Sequence, residues 1–257
     1  MAYEQIKVST EGHIATIELR RAPNNHVNVP MIGEIGEALE GFDRDKEIRA
    51  IVLCSDGKHF SAGADLVTRG PDGREIGAGR RHLYKEAIRL MRTGKPIVAA
   101  VQGAAVGAGL GLALVADFRV TCAEARFSAN FTRLGFHPGF GLTATLPRLL
   151  GASKAALLMY TGRRIPGDEA VAMGLADVLV PLADVRKAAA ELATEIAQSA
   201  PLAIVATRET LRRGLAEAFG AATEREFEEQ DWLRKTADYK EGVKAMSERR
   251  LPKFVAD

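Results

Sequence analysis

Two short segments near the start of the chain, residues 6–8 and 14–19, alternate apolar and polar positions, with Glu11 and Gly12 between them. Alternation with a period of two residues predicts strands, and a short polar turn between two such segments predicts a hairpin. The spacing changes at Pro30, after which apolar residues recur every three or four positions. That spacing is typical of an amphipathic helix with proline in its first turn.

Further along, the segments at residues 51–54 and 97–101 are uninterruptedly apolar, and residues 118–122 form a third predicted strand. Such segments predict strands that are buried on both faces. Helical patterns at residues 80–92 and 112–116 lie between them, so the order predicts a parallel sheet covered by helices.

Helical patterns dominate the chain from residue 153 onward, and only residues 177–180 resemble a strand there. The predicted helices cover residues 153–160, 168–173, 182–197, 202–215, 222–237 and 239–249. We therefore predict an α/β core over residues 1–200 and a C-terminal helical region over residues 201–257.

Charge and composition narrow the classes of protein to be considered. The 35 Lys and Arg residues nearly balance the 33 Asp and Glu residues, giving a formal net charge of +2. A nucleic-acid or membrane-surface binder would show a clustered basic excess, so neither partner is expected. No secretory signal or membrane-spanning segment is visible, which predicts a soluble cytoplasmic protein. Cys54 and Cys122 each end a predicted strand and look like core positions, which favours buried free thiols over a disulfide or a metal site.

Two loops of small residues carry the candidate chemistry. The first covers residues 57–66 and the second residues 103–111, and each directly follows a predicted buried strand. Ligands of α/β proteins bind beyond the carboxyl ends of the strands, and small residues let a ligand approach the backbone. Two backbone N–H groups that point at one oxygen form an oxyanion hole. The alternative is that the glycines only permit tight turns and close packing.

The second loop also suggests dinucleotide binding. Gly107 and Gly109 follow a strand, and Glu124 lies at the end of the next one. The third glycine of that fingerprint is absent, because position 112 is leucine, and the helix that follows is too short for an ordinary crossover. This alternative is therefore disfavoured.

Five further segments after the two loops contain recognisable motifs, at residues 127–149, 151–155, 161–162, 170–175 and 241–250. With these segments, nearly the whole chain resembles the crotonase (enoyl-CoA hydratase/isomerase) superfamily. The resemblance implies an α/β fold, a crotonase-like spiral of ββα units with a C-terminal helical trimerisation region. It also implies a homotrimer or a dimer of trimers.

The resemblance further implies a site for an acyl-CoA thioester. The N–H groups of Ala64 and Ala108 would bind the thioester oxygen and stabilise an enolate, without a metal and with coenzyme A only as part of the substrate. The implied substrate-binding residues are Asn25, His26, Val27, Ala62, Asp65, Leu66, Gly107, Gly111, Phe131, Leu134, Pro138 and Gly139.

One departure from the family pattern concerns proton transfer. Hydratases of the superfamily use two glutamates, and their positions are occupied here by Gly111 and Phe131. Neither residue can transfer a proton, so efficient hydration is not expected. We predict His137 as the proton carrier because an imidazole titrates near neutrality, with a structural histidine as the alternative. Asp65 and His59 are further candidates.

Three functions are therefore compatible with the sequence. The first is an enzyme of this family that acts on an acyl-CoA through an enolate. The second is a thioester decarboxylase or hydrolase of the same fold, for which the glutamate pair is not needed. The third is a non-catalytic acyl-CoA-binding protein.

Overall fold

The structure is a computed structural model, and it describes residues 3–64 and 82–257. Its strands are β1 (Ile6–Glu11), β2 (Ile14–Leu19), β3 (Ala50–Ser55), β4 (Ile97–Val101), β5 (Ala104–Val106), β6 (Phe118–Thr121), β7 (Arg126–Ser128), β8 (Ile165–Pro166) and β9 (Val178–Leu179). Its α-helices are α1 (Val29–Arg44), α2 (Leu83–Met91), α3 (Ala108–Ala113), α4 (Leu142–Leu150), α5 (Ala152–Thr161), α6 (Gly167–Met173), α7 (Val185–Ala197), α8 (Pro201–Leu211), α9 (Leu215–Leu233) and α10 (Ala237–Ser247).

The larger sheet has the order β1-β2-β3-β4-β6-β9. The predicted hairpin pairs β1 with β2 in antiparallel fashion, and every later neighbour is parallel. Every residue of β3 and β4 is buried. Helix α1 packs on β1 and β2, and α7 packs on β3, β4 and β6. Covered parallel strands explain why these segments are uniformly apolar.

A smaller sheet has three strands in the order β5-β7-β8, and these strands are interspersed along the chain with strands of the larger sheet. Strand β4 leads directly into β5 and then α3, and β6 leads into β7. Each of these turns contributes one strand to each sheet, which produces the predicted spiral of ββα units. The helical region packs on this core, since α9 contacts α2 and α4, while α10 contacts a short 3-10 turn at Thr132–Leu134.

The second glycine loop differs from its prediction. Residues 104–106 form strand β5 because they pair in parallel with residues 126–128. The chain then turns at Gly107, and the helix begins at Ala108 and ends at Ala113, so the prediction of a helix over residues 112–116 was wrong. Helix α4 was not predicted either, because it begins after a glycine without a side-chain cap and contains Pro147.

Cys54 and Cys122 are both free and buried, as predicted. Within residues 3–64 and 82–257, no helix combines the length and the apolar character needed to cross a bilayer.

Candidate active site

The two glycine loops lie side by side. Ser61 pairs in parallel with Ala105, with its N–H donating to the carbonyl of Ala104 at 2.9 Å and its carbonyl accepting from the N–H of Val106 at 3.1 Å. The first loop therefore extends the small sheet at its β5 edge. This pairing holds residues 62–64 next to the start of α3.

A second bridge sets the direction of the Ala64 backbone. Val27 and Ala64 form an isolated parallel bridge, in which the N–H of Val27 donates to the carbonyl of Gly63 at 2.9 Å. In this pattern the N–H of the opposing residue, Ala64, points away from Val27. Gly63 has a φ of +103°, and a Cβ there would lie 2.9 Å from the carbonyl oxygen of Val106. Only glycine fits this approach of the two loops.

Ala108 is the first residue of α3. It follows Gly107, which has a φ of +55° and donates its N–H to the carbonyl of Ser128 at 2.9 Å. The first N–H groups of a helix have no acceptor within the helix. Among the described residues, none accepts a hydrogen bond from the N–H of Ala64 or of Ala108.

Both alanines border one pocket, whose walls are mainly apolar. The described residues that line it are His26, Ala62, Gly63, Ala64, Val106, Gly107, Ala108, Asn130, Phe131, Leu134, Phe136 and Met246. The rings of Phe131 and Phe136 pack at 5.3 Å between centroids and form one wall. Of these lining residues, His26 and Asn130 are the ones whose side chains carry nitrogen or oxygen atoms. The arrangement brings two residues whose N–H groups have no acceptor among the described residues to the border of one apolar pocket.

Seven of the predicted site residues meet in this pocket. They are His26, Ala62, Ala64, Gly107, Ala108, Phe131 and Leu134. Val27 does not line the pocket, but it pairs with Ala64 and its side chain is buried in the core. Asp65 and Leu66 lie outside the described residues.

Asn25 was predicted to bind substrate, but its side chain is fully buried in the loop itself. Its amide nitrogen donates to the carbonyls of Asp56 at 2.7 Å and His59 at 2.8 Å, and its amide oxygen accepts from the N–H of Arg21 at 2.9 Å. The residue has a φ of +48°, which asparagine tolerates better than most residues. Its amide therefore holds the first loop against residues 21–27.

The structure places His137 apart from the two donors. Its ring borders a neighbouring surface groove together with Thr143 and Tyr160. The imidazole Nδ1 lies 2.8 Å from the carbonyl oxygen of Pro138, and the His137 carbonyl accepts from Gln230 at 2.8 Å. These contacts are those expected of a structural histidine, the alternative to a proton carrier.

Pro138 and Gly139 also lie away from the pocket of the two alanines. Pro138 lines the same groove as His137. A Cβ on Gly139 would lie 1.9 Å from the hydroxyl oxygen of Tyr84. Gly139 thus permits the close approach of the Tyr84 ring.

Gly111 is covered by a side chain from a distant loop. A Cβ on Gly111 would lie 2.5 Å from Cδ1 of Phe140 and 2.8 Å from its Cβ. The Phe140 ring is fully buried and packs edge-to-face on Phe219 and Tyr84. The side-chain space of position 111 is therefore occupied by an aromatic ring.

His59, a further candidate for proton transfer, is engaged in the loop. Its Nδ1 accepts from the N–H of Ala104 at 3.1 Å. Burial, followed by the nearby charge of Lys58, lowers the pKa of its imidazole. The ring therefore fastens the first loop to β5 as a neutral acceptor.

Sequence reasoning missed several residues at and around the pocket, namely Asn130, Phe136, Met246 and, behind Gly111, Phe140. Phe136 and Phe140 lie in the block around residues 127–149, and their aromatic character was an available signal. Met246 comes from α10, and no local pattern marks it. Among the described residues there is no cluster of three His, Cys, Asp or Glu side chains suited to hold a metal ion.

Comparison with known proteins places this geometry in a family. A model of the enoyl-CoA hydratase/isomerase family matches residues 9–257. The chain is 32% identical to the crotonyl-CoA hydratase of Syntrophomonas wolfei, and the alignment covers 100% of both chains. The crystal structure of an enoyl-CoA hydratase/isomerase from Pseudoalteromonas atlantica matches with a TM-score of 0.87 at 28% identity, over 98% of this chain and 100% of that one.

A structure of methylmalonyl-CoA decarboxylase in complex with 2-nitronate-propionyl-CoA also matches, with a TM-score of 0.82 at 27% identity and 100% coverage of both chains. The family model spans nearly the whole sequence, and a relative above 30% identity aligns from end to end. The chain therefore belongs to the enoyl-CoA hydratase/isomerase family, the crotonase superfamily.

Proposed function

We propose that the pocket binds the acyl part of a coenzyme A thioester and that the N–H groups of Ala64 and Ala108 bind its carbonyl oxygen. The observation that carries this proposal is that both alanines border one apolar pocket and that neither N–H group has an acceptor among the described residues. Similar proteins are named for crotonyl-CoA and methylmalonyl-CoA, which supports a thioester of this class.

The two donors stabilise the negative charge that develops on the oxygen when the thioester becomes an enolate. In acyl-transfer enzymes, losing one such donor raises the barrier by about 3 kcal/mol. No resident metal or cofactor is part of the proposal, and coenzyme A enters only with the substrate.

For the reaction itself, decarboxylation of a thioester with a carboxylate on its α-carbon fits the lining best. The C–C bond to the carboxylate breaks, carbon dioxide leaves, and the electron pair forms the enolate that the two N–H groups stabilise. A proton from water then adds to the α-carbon. No carboxylate is needed for these steps, and no described residue of the lining carries one.

Addition of water to a double bond, by contrast, needs groups that move protons to and from water. At the two positions concerned, Gly111 lies under the Phe140 ring and Phe131 is part of the apolar wall. An apolar wall also favours loss of a substrate carboxylate. A carboxylate that moves from water into an apolar site is destabilised by its charge, whereas the neutral carbon dioxide product is not. His137 lies in the neighbouring groove, so bound water replaces it as proton carrier in this proposal.

Mass spectrometry of products from methylmalonyl-CoA, malonyl-CoA, a 3-oxoacyl-CoA and crotonyl-CoA tests the reaction. We expect loss of carbon dioxide from the first two and no addition of water to crotonyl-CoA. Rapid hydration of crotonyl-CoA would contradict the proposal. Free coenzyme A as the first product would indicate a hydrolase, and tight binding with no product would indicate a non-catalytic acyl-CoA-binding protein.

Ala108→Pro tests the donor directly, because proline at the first position of a helix removes the N–H and keeps a helical φ. We expect turnover to fall about 100- to 1000-fold. Ala108→Gly keeps the N–H and serves as the matched control, with activity near that of the wild type. A folded Ala108→Pro variant with wild-type turnover would exclude this use of the loop.

Assembly as a trimer or a dimer of trimers remains a prediction, as does a cytoplasmic location. Large apolar side chains are exposed on the helical region, among them Leu202, Leu211 and Trp232. Burial of these side chains between subunits supports the oligomer. Light scattering of the purified chain measures its mass directly.

A further inference from the structure

Glu226 is a fully buried carboxylate outside the pocket. It projects from α9 and accepts from the N–H of Gly141 at 2.7 Å, from the N–H of Thr143 at 3.0 Å and from the hydroxyl of Thr143 at 2.6 Å. These two N–H groups lie at the start of α4, where the N-cap residue, Gly141, supplies no side-chain cap of its own. Glu226 thus caps a helix that is 85 positions away in sequence.

The same helix holds the other end of this loop. Gln230, one turn beyond Glu226, donates to the carbonyl of His137 at 2.8 Å and accepts from the hydroxyl of Tyr84 at 2.9 Å. Helix α9 therefore forms hydrogen bonds with this loop on both sides of Phe140.

The backbone between these hydrogen-bonded positions, His137 and Gly141, has an unusual conformation. Phe140 has a φ of +60° and Gly141 a φ of +68°. A left-handed conformation is unfavourable for a bulky residue such as phenylalanine and persists only where the surroundings impose it. The N–H of Gly141, the residue directly after Phe140, donates to Glu226, so this hydrogen bond can impose that conformation.

Phe140 in turn fixes one face of α3. Its ring occupies the side-chain space of Gly111, while Ser61 packs against Gly109 so closely that a Cβ there would lie 2.4 Å from the Ser61 carbonyl. Helix α3 has only six residues, and its two glycines are where flanking loops touch it. Because the helix is held between Phe140 and Ser61, a shift of Phe140 also moves its first residue, Ala108.

We infer that Glu226 is a positioning residue for the Ala108 N–H, which it acts on through Phe140 and Gly111. The inference rests on the proposed function, because it assigns a role to Ala108 as a donor. A carboxylate is also a poor choice for packing alone, since burying a charge costs free energy that an apolar side chain would not. Burial raises the pKa of Glu226 to about 7, in spite of the three hydrogen bonds that lower it.

The carbonyl stretch of bound acetyl-CoA, labelled with 13C at the thioester carbon, reports the donors without requiring turnover. Hydrogen bonds to the carbonyl lower this frequency. We expect a clear downward shift in the wild type and loss of most of that shift in Glu226→Gln and Glu226→Leu, with dissociation constants for acetyl-CoA little changed. On a thioester that the wild type converts, kcat should fall about 10- to 100-fold with KM nearly constant, because small displacements of catalytic groups are this costly.

Glu229→Gln, on the same helix, is the matched control, because Glu229 pairs with Arg225 and Trp232 near the surface. It should keep both the shift and kcat. Should the Glu226 variants fail to fold, Thr143→Val removes one donor to the carboxylate, and Thr143→Ser restores it. We expect the valine variant to lose part of the shift and the serine variant to recover it.

Folded Glu226 or Thr143→Val variants with the wild-type carbonyl shift would overturn the inference and leave the proposed function intact. If the wild type binds acetyl-CoA without any shift of the carbonyl band, or binds no thioester, the proposed function fails and the inference fails with it.

Discussion

The ring of Phe140 lies where a side chain on Gly111 would have to be built, 2.5 Å from an ideal Cβ at that position. A carboxylate cannot be added at position 111 while this ring is present. The space beside Gly111 in α3 is therefore closed to any larger side chain unless Phe140 moves.

Gly111→Ala should destabilise the protein by about 1–3 kcal/mol, since overpacking a filled core forces its neighbours to move. The cost of Gly111→Ala should be smaller in a Phe140→Gly background, because the second change opens the space beside residue 111. Urea unfolding of both single variants and the double variant measures the coupling. Strictly additive free energies of unfolding would show that the two residues do not share this space.

Asn25→Ala should lower the free energy of unfolding by about 2–4 kcal/mol, because three backbone groups lose their buried hydrogen-bond partner. Asn24→Ala is the control, since Asn24 is exposed and, within the part of the chain that the structure describes, bonds Ala62 through its backbone carbonyl, which the substitution keeps. Thermal melts of the two variants make the comparison. Equal melting temperatures would mean that the Asn25 amide does not hold the loop.

Phe131→Ala should shift acyl preference toward longer or branched chains, because it removes a ring from the apolar wall of the pocket. Dissociation constants for a series of acyl-CoA thioesters measure the preference. Phe118→Ala, on the partly exposed β6 position, should leave the preference unchanged. An identical preference in Phe131→Ala would place the acyl chain elsewhere.

Stability should depend on pH through Glu226. Burial raises the pKa of this carboxyl from 4.5 to about 7, so the folded protein keeps a proton that the unfolded chain releases between these pH values. The contribution of Glu226 to stability is therefore fully present below pH 4.5 and is lost as the pH rises to about 7, by up to about 3 kcal/mol. Unfolding of the wild type and Glu226→Gln at pH 5 and pH 8 isolates the effect. A wild type that responds to pH no differently from Glu226→Gln would contradict it.

The parts of the fold that the sequence predicts are those with local causes. Strands β3 and β4 and helix α1 follow from apolar patterns, because the burial that creates each pattern acts on consecutive or regularly spaced residues. The start of α3 was misplaced for the opposite reason: residues 104–106 become a strand only through pairing with residues 126–128.

The candidate site divides in the same way. Small residues after buried strands mark the two loops, and the structure brings Ala64 and Ala108 to one pocket. What directs the loop around Phe140 is a set of contacts with Glu226 and Gln230, more than 80 positions away. No local pattern contains those contacts, so sequence reasoning put His137 beside the donors, whereas the fold puts it in the next groove.

Both N–H groups at the pocket belong to residues that are already alanine. A scan that replaces each side chain in turn by alanine would leave positions 64 and 108 unchanged and would therefore give no information on them. Such a scan would instead show a loss of stability at Asn25, whose side chain bonds three backbone groups of the loop. The residues that matter most to this pocket are thus among those with the least side chain to remove.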